Sequence, residues 1–284
     1  MSKYKESIMK TIFFVAACTS ILAVALICLF LFINGIPAMT KIGIFDFLMG
    51  TTWKPNNTPP SFGILPMILG SIYVTAGAAV IGVPIGILTA VFMAHYCPPK
   101  LYRILKPAIN LLAGIPSIVY GFFGLVVIVP FIRDTFGGAG SSMLAASILL
   151  GIMILPTIVG ISESAIRAIP QSYYEGALAL GASHERSIFF VILPAAKSGI
   201  MAAIVLGIGR AIGETMAVIM VAGNQARMPA GLLKGVRTLT ANIIIEMGYA
   251  AELHREALIA TGVVLFVFIL IINLLLSLLK RRTG

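Results

Sequence analysis

The chain is predicted to be all-α and embedded in a membrane with six transmembrane helices, and three observations predict it. Of its 284 residues 59% are hydrophobic and only 11% charged, whereas soluble domains carry about a quarter charged residues. Six apolar stretches, 12–33, 65–94, 108–132, 143–161, 199–221 and 257–279, each supply enough residues to cross roughly 30 Å of hydrocarbon, which takes about 20 helical residues. None shows the strict alternation over about ten residues that marks a barrel strand, and helices are then the way to satisfy backbone groups in lipid.

The first stretch exceeds the roughly 7–15 apolar residues of a signal-peptide core and lacks a small-residue cleavage site, so it reads as a permanent helix. Residues 34–61 read as a polar outer loop containing Trp53 and the turn-rich KPNNTPP. Pro84, Pro116, Pro130 and Pro156 fall inside spans and predict kinks or breaks. Because proline and glycine are common in transmembrane helices anyway, only their aggregate suggests a pathway. Cys18, Cys28 and Cys97 are too few and too scattered for a disulfide framework and read as packing residues. The expected organisation is a helix plus outer loop over 1–62, then one membrane domain over 63–279.

With the first terminus inside, Lys3, Lys5, Lys10, Lys100, Arg103, Lys106, Arg167, Arg186, Lys197, Lys280, Arg281 and Arg282 fall on the inner side, twelve of the 20 Lys and Arg. Lys41, Lys54, Arg133, Arg227, Lys234, Arg237 and Arg255 fall outside, and Arg210 lies within a span. This bias places both termini in the cytoplasm. The net charge of +10 is spread over short loops with no basic helix or stacking platform, which argues against nucleic acid.

Residues 170–194 are a charged island, with EGALALGASHERSIFFVILP closing it. Pro170 can start a short helix, Gly181 can end it in a left-handed conformation, and Ser183 with Glu185 can open a second helix that Pro194 limits. Glu175, Gly176, Ala177, Gly181, Leu193 and Pro194 resemble the cytoplasmic loop of the membrane subunits of binding-protein-dependent ABC importers. In that loop E-A-A is followed after three residues by G and after nine more by I-x-L-P. Gly176 replaces an alanine and Val191 the isoleucine. LLAGIPSIVYG at 111–121, ILPT at 154–157 and GRAIGETMAV at 209–218 are similar to the phosphate-permease (PstC) branch. The resemblance implies a type I, MetI-like importer permease fold in the inner (cytoplasmic) membrane. It also implies four kinds of partner: a second, PstA-like permease, a PstB-like ATPase dimer docked on the island, an extracytoplasmic PstS-like phosphate-binding protein, and membrane lipid.

Arg210 and Glu214 stand four residues apart in the fifth stretch, a spacing that predicts one helical face. A charge at mid-bilayer costs roughly 2.5–3.5 kcal/mol, and an exposed pair returns only about 0.2–0.5 kcal/mol, so both are expected to face the bundle interior or water. Arginine presents a planar fork of donors suited to an oxyanion, with Glu214 orienting it. A purely structural salt bridge is the alternative. Gly207, Gly209 and Gly213 would let a helix or a solute approach the backbone, and Thr215 completes the expected pathway set of Arg210, Glu214, Gly209, Gly213 and Thr215. These glycines do not have dinucleotide-fingerprint spacing, and no strand precedes them. At 232–247 an apolar stripe predicts a helix along the outer face, whether as gate, as contact for an external protein or merely packed on the bundle.

No phosphate-binding loop of the form G-x-x-x-x-G-K-[ST] occurs, so this chain is expected to bind no cofactor and to rely on partner subunits for ATP. His95, His184 and His254 are expected in separate loops with no metal-ligand spacing and no catalytic arrangement. The expected function is therefore a non-catalytic permease subunit of an ATP-driven phosphate importer. Sulfate or molybdate remains open as cargo. An ATP-independent transporter or channel, or a non-transporting scaffold, are the readings from other classes.

Overall fold

The computed structural model describes the backbone of residues 2–283 and the side chains of 5–275 and 278. The basic side chains expected at Lys3, Lys280, Arg281 and Arg282 lie outside those described. Six helical stretches are long and apolar enough to cross a membrane: Lys5–Ile42, Leu65–Tyr96, Ser117–Phe136, Met143–Arg167, His184–Gly213 and Glu252–Leu275. In chain order the elements are α1 (Ser2–Ile42), α2 (Ile44–Met49), a small antiparallel hairpin of β1 (Trp53–Lys54) and β2 (Ser61–Phe62), then α3 (Leu65–Val91), α4 (Pro99–Gly114), α5 (Ser117–Phe123), α6 (Val129–Phe136) and α7 (Met143–Arg167). After them come α8 (Gln171–Ala179), α9 (His184–Ser187), α10 (Leu193–Gly213), α11 (Met216–Val221), α12 (Leu239–Met247) and α13 (Glu252–Thr283).

Three single π-helical turns, at Phe92–Tyr96, Gly124–Ile128 and Ile188–Ile192, each begin six residues before a proline, Pro98, Pro130 or Pro194; the first ends α3, and the helix continues through the other two. In each, the residue before the proline donates five positions back: Cys97 N to Phe92 O, Val129 N to Gly124 O, Leu193 N to Ile188 O. The wider turn makes room where a proline ring would press on the carbonyl four residues earlier. Pro194 therefore does not end the helix that Ser183 opens. Helix α9, the π-turn and α10 run as one rod, which corrects the expected stop at Pro194 and moves the start of the fifth span back from 199.

The third span also starts later than expected. Ile115, forced out of the helical region by the proline after it, has ψ 127°, and Pro116 has ψ 140°. Helix α4 is thereby cut off from α5 and buries no residue fully. Pro84 and Pro156 lie inside continuous α3 and α7. At the other end of the chain α1 runs through Pro37 to Ile42, shortening the expected loop, because Ala38, Met39 and Ile42 pack with Phe47, Trp53, Phe62 and Leu258 in an apolar cluster. Trp53 is buried rather than displayed. Of the apolar stripe at 232–247 only Leu239–Met247 is helical. Thr238 caps it by accepting from Ala241 N; Val236 and Leu239 are fully buried and pack into the bundle, while Leu232, Leu233 and Ile244 of the same stripe are exposed.

Helix α7 is the centre, with α3 on one side and α10 on another. A Cβ on Gly82 would stand 2.8 Å from Gly151 O and 2.7 Å from Ile154, and one on Gly86 2.7 Å from Ile158 Cγ2. Small residues thus set the spacing of α3 and α7, as membrane helices require where apolar burial drives nothing. We expect Gly82→Val to cost roughly 1–3 kcal/mol through overpacking and to lower the thermal midpoint of the detergent-solubilised protein by several degrees. A melting curve that does not move would show the contact to be slack.

Candidate functional site

Arg210 projects from the last turn of α10, half-buried, and its Nη1 donates to Thr157 Oγ1 on α7 at 3.4 Å. Four residues on, the expected partner is elsewhere. Helix α10 ends at Gly213, and Glu214 has φ −70° and ψ 134°, so the two side chains do not share a helical face. The Glu214 carboxylate instead accepts from Thr215 N at 3.1 Å and Ala217 N at 3.3 Å, occupying the positive start of α11. Both the orienting role and the structural salt bridge expected for Glu214 are replaced by this capping role. Among the described residues no carboxylate lies within 4.0 Å of Arg210.

The break is saturated from both sides. Thr240 Oγ1 donates to Glu214 O at 3.0 Å, and Thr215 Oγ1 donates to Gly213 O at 3.3 Å. Leu239 N donates to Ser71 Oγ on α3, so the segment entering α12 is tied to both α3 and the break. The three glycines separate. Gly207 meets Ile158 at 2.9 Å and is required by packing, Gly209 meets only Asn273 Oδ1 at 3.8 Å, and Gly213 faces open space.

The island 170–194 forms the bent element its residues predict. Helix α8 closes in a Schellman turn, with Gly181 at φ +84°, Gly181 N donating to Leu178 O and Ala182 N to Ala177 O, a geometry that favours glycine. Ser183 Oγ accepts from Arg186 N. Glu175 is exposed and accepts from Gln171 Nε2, a Cβ on Gly176 would meet nothing within 4 Å, and Ala177 is the one buried residue of α8. Leu193 is part-buried and Pro194 exposed. Leu180 is 92% exposed at the tip of the bend, with exposed Tyr173 and Leu178 nearby in sequence. His95 and His184, expected apart, meet here: Tyr174 Oη bonds His184 Nδ1 at 2.7 Å while its ring lies 6.4 Å from that of His95.

Two buried carboxylates escaped the sequence reading. Glu163 of α7, 1% exposed, receives Lys106 Nζ at 2.6 Å, Tyr102 Oη at 2.7 Å and Arg167 Nε at 2.9 Å, pinning α4 against α7. Donation to Glu163 is the first cause, burial the second, that pushes the Tyr102 hydroxyl above the ordinary phenol range. The i, i+4 pair Glu163 and Arg167 was the available signal, hidden by ending the span at 161. On the other side of the bundle Glu246 receives Arg237 Nη1, Trp53 Nε1 at 2.8 Å and His254 Nε2 at 2.8 Å. Only the tertiary fold assembles these residues.

A family described as "Binding-protein-dependent transport system inner membrane component" matches residues 82–284. The chain belongs to this family. It is 42% identical over 274 residues to the probable ABC transporter permease protein YqgH of Bacillus subtilis, covering 93% of this chain and 89% of that protein. It is 35% identical over 279 residues to the phosphate transport system permease protein PstC of Mesorhizobium japonicum, covering 89% and 84%. The MetNI methionine ABC transporter in its inward-facing conformation shares the fold with a TM-score of 0.63 at 22% identity, over 78% of this chain and 96% of that one. The expected type I importer permease fold is therefore the observed one. As a member of the family the chain is a multi-pass inner-membrane transport component.

Removing Glu163 would strand Lys106 and Arg167. Breaking a fully buried pair costs roughly 3–5 kcal/mol, and solvent screening of these two part-exposed cations lowers that figure. Glu163→Ala is expected to lower the thermal midpoint and to make the 99–114 segment more susceptible to limited proteolysis; Glu163→Gln, which can still accept from Tyr102, should do less. Equal effects of the two variants would mean that the charge is immaterial.

Proposed function

We propose that this chain is the permease subunit of an ATP-driven phosphate importer, with both termini in the cytoplasm. It pairs with a PstA-like permease, docks a dimer of PstB-like ATPases on α8 and receives solute from a PstS-like binding protein. The observation that carries the reading is Arg210: a guanidinium on a transmembrane helix, held by one neutral hydroxyl and free of any carboxylate among the described residues. Such a fork is suited to an oxyanion, and the PstC name of a relative 35% identical to this chain points to phosphate.

The mechanical route follows from helix continuity. The stretch His184–Gly213 is 30 residues long, about 45 Å at 1.5 Å per residue, and joins the bend at Gly181 to the break beside Arg210. Helix α7, which supplies Thr157, leads into α8 at its other end. Movement of α8 by the ATPases therefore displaces both helices that flank Arg210. Gly213 and Gly209 leave room for solute there, while Glu214 and Thr215 keep the break closed in hydrogen bonds. ATP is bound and hydrolysed by the partner subunits.

The deciding experiment is uptake by the complex reconstituted in proteoliposomes, with phosphate, sulfate and molybdate compared, with and without ATP. Phosphate uptake that needs ATP is expected; uptake of another oxyanion alone would move the cargo, and uptake without ATP would remove the importer mechanism. Arg210→Ala should lower ATP-dependent uptake by at least about tenfold, on the order of one lost charge-assisted contact, while the subunits still co-purify. Gly181→Val, which puts a β-branched residue at φ +84°, should reduce recovery of the ATPase with the permease without impairing membrane insertion. Wild-type recovery would uncouple the bend from docking.

A further inference from the structure

Helix α4 buries no residue fully, yet both of its ends are tied to membrane-spanning helices. Cys97 and Pro98 link it to the stretch that ends at Tyr96, and Ile115 and Pro116 link it to the one that begins at Ser117. Two extended residues reach about 7 Å, so neither end of this 16-residue helix can leave that end of the bundle. One side of α4 is packed. Tyr102, Leu105 and Ile109 join the apolar cluster that contains Val159 and Ile166, and Tyr102 and Lys106 both reach Glu163.

The rest of its surface divides into two strips. Leu101, Ile104, Ala108 and Leu111 follow one another at the spacing of a single helical stripe, and Ile104 is 68% and Leu111 72% exposed. Beside them Lys100, Arg103 and Asn110 are exposed, and among the described residues neither cation has a carboxylate within 4.0 Å. An apolar strip bordered by unpaired cations, on a helix kept at the end of two spanning segments, suits a membrane interface, with the strip among acyl chains and the cations among headgroups. The cations also select the headgroup. Helix α4 carries no acidic residue, so the phosphate of an acidic phospholipid meets attraction along its whole length and repulsion nowhere.

We propose that α4 lies in the membrane interface and binds acidic phospholipid through Lys100 and Arg103. On the proposed topology this is the cytoplasmic leaflet, whose surface is negative, but the contact itself does not depend on which face is inside. Through Glu163 the anchored helix also holds the corner where α7 gives way to α8, so that α8 moves against a support fixed to the lipid.

The test places a bimane fluorophore at Ile104→Cys, with Cys18, Cys28 and Cys97 replaced by alanine, and reconstitutes the full complex in nanodiscs. Quenching by brominated phosphatidylglycerol is compared with quenching by brominated phosphatidylcholine at equal mole fraction. Both are expected to quench, with the acidic lipid enriched around the probe by about fivefold, the order of one cation's attraction to an acidic surface. The enrichment should fall toward unity in Lys100→Gln/Arg103→Gln, and also when ionic strength is raised from about 0.1 to 1 M, which shortens the Debye length from about 10 to 3 Å. Each variant is first checked for a wild-type size-exclusion profile, and Leu111→Cys, on the same strip, takes the probe if Ile104→Cys fails to assemble. Absence of quenching by either lipid would mean that α4 stands in water or is covered by another subunit. Equal quenching would mean no preference for acidic headgroups, and enrichment kept in the double variant would place its cause elsewhere. Each of these three results overturns the proposal, and none bears on ATP-dependent uptake, which tests the permease reading by itself.

Discussion

A backbone inside hydrocarbon must keep its own hydrogen bonds, and this structure depends on how that constraint is met where α10 stops. Gly213 ends the helix within the bundle; Glu214 N still donates to Ala211 O at its end, but the Glu214 carbonyl and the first amides of α11 need partners from outside the helices. The Glu214 carboxylate supplies acceptors for the amides that open α11, and Thr240 reaches in to hold the Glu214 carbonyl. Irregular backbone at such depth is tolerated when it is buried in protein or lines a cavity. Using Glu214 in this way leaves Arg210 with Thr157 as its polar neighbour, and so makes a cation available where the helix is interrupted.

The same constraint shapes the other end of the rod. Proline after a π-turn keeps α9 and α10 continuous, so rigidity extends from the bend at Gly181 to Arg210. Had Pro194 broken the helix, motion at the charged island would dissipate in a loop. The same widened turn ahead of a proline lets α5 run on into α6 at Pro130, whereas at Pro98 it closes α3, with Cys97 and Pro98 extended, and Pro84 and Pro156 are accepted inside α3 and α7 without one. At Pro116 no π-turn precedes the ring, and Ile115, like Cys97 before Pro98, leaves the helical region.

Two buried carboxylates fix the two ends of the bundle. Glu163 gathers Lys106, Tyr102 and Arg167, holding the otherwise exposed α4 against α7; Glu246 gathers Arg237, Trp53 and His254, holding the β1–β2 hairpin against α12 and α13. Each draws donors from segments distant in sequence. Each would be costly alone, and each is tolerated because its lone pairs are filled. Between them the packing is set by glycine against isoleucine, which gives α3 and α7 a fixed spacing and leaves polar chemistry to the ends and to the break.

Much of this was legible in the residues. Apolar length determined the number of spanning helices, because hydrocarbon thickness sets a minimum run. Gly181 and Ser183 determined the bend, because a left-handed turn and a cap are local matters, and the spacing of 175–194 carried the family likeness. Span limits were less legible: apolar residues continue on both sides of Ile115 and Glu214, where the backbone departs from helix. The contacts of Glu163 with Tyr102 and Lys106 and of Glu246 with Trp53 were not legible, since they join residues dozens to nearly two hundred positions apart. The sequence by itself decided that Arg210 and Glu214 stand four residues apart; only the tertiary structure decided that they are not a pair. Spacing implies a shared face only while the helix lasts, and whether it lasts depends on what Thr240 and the amides of α11 offer in exchange.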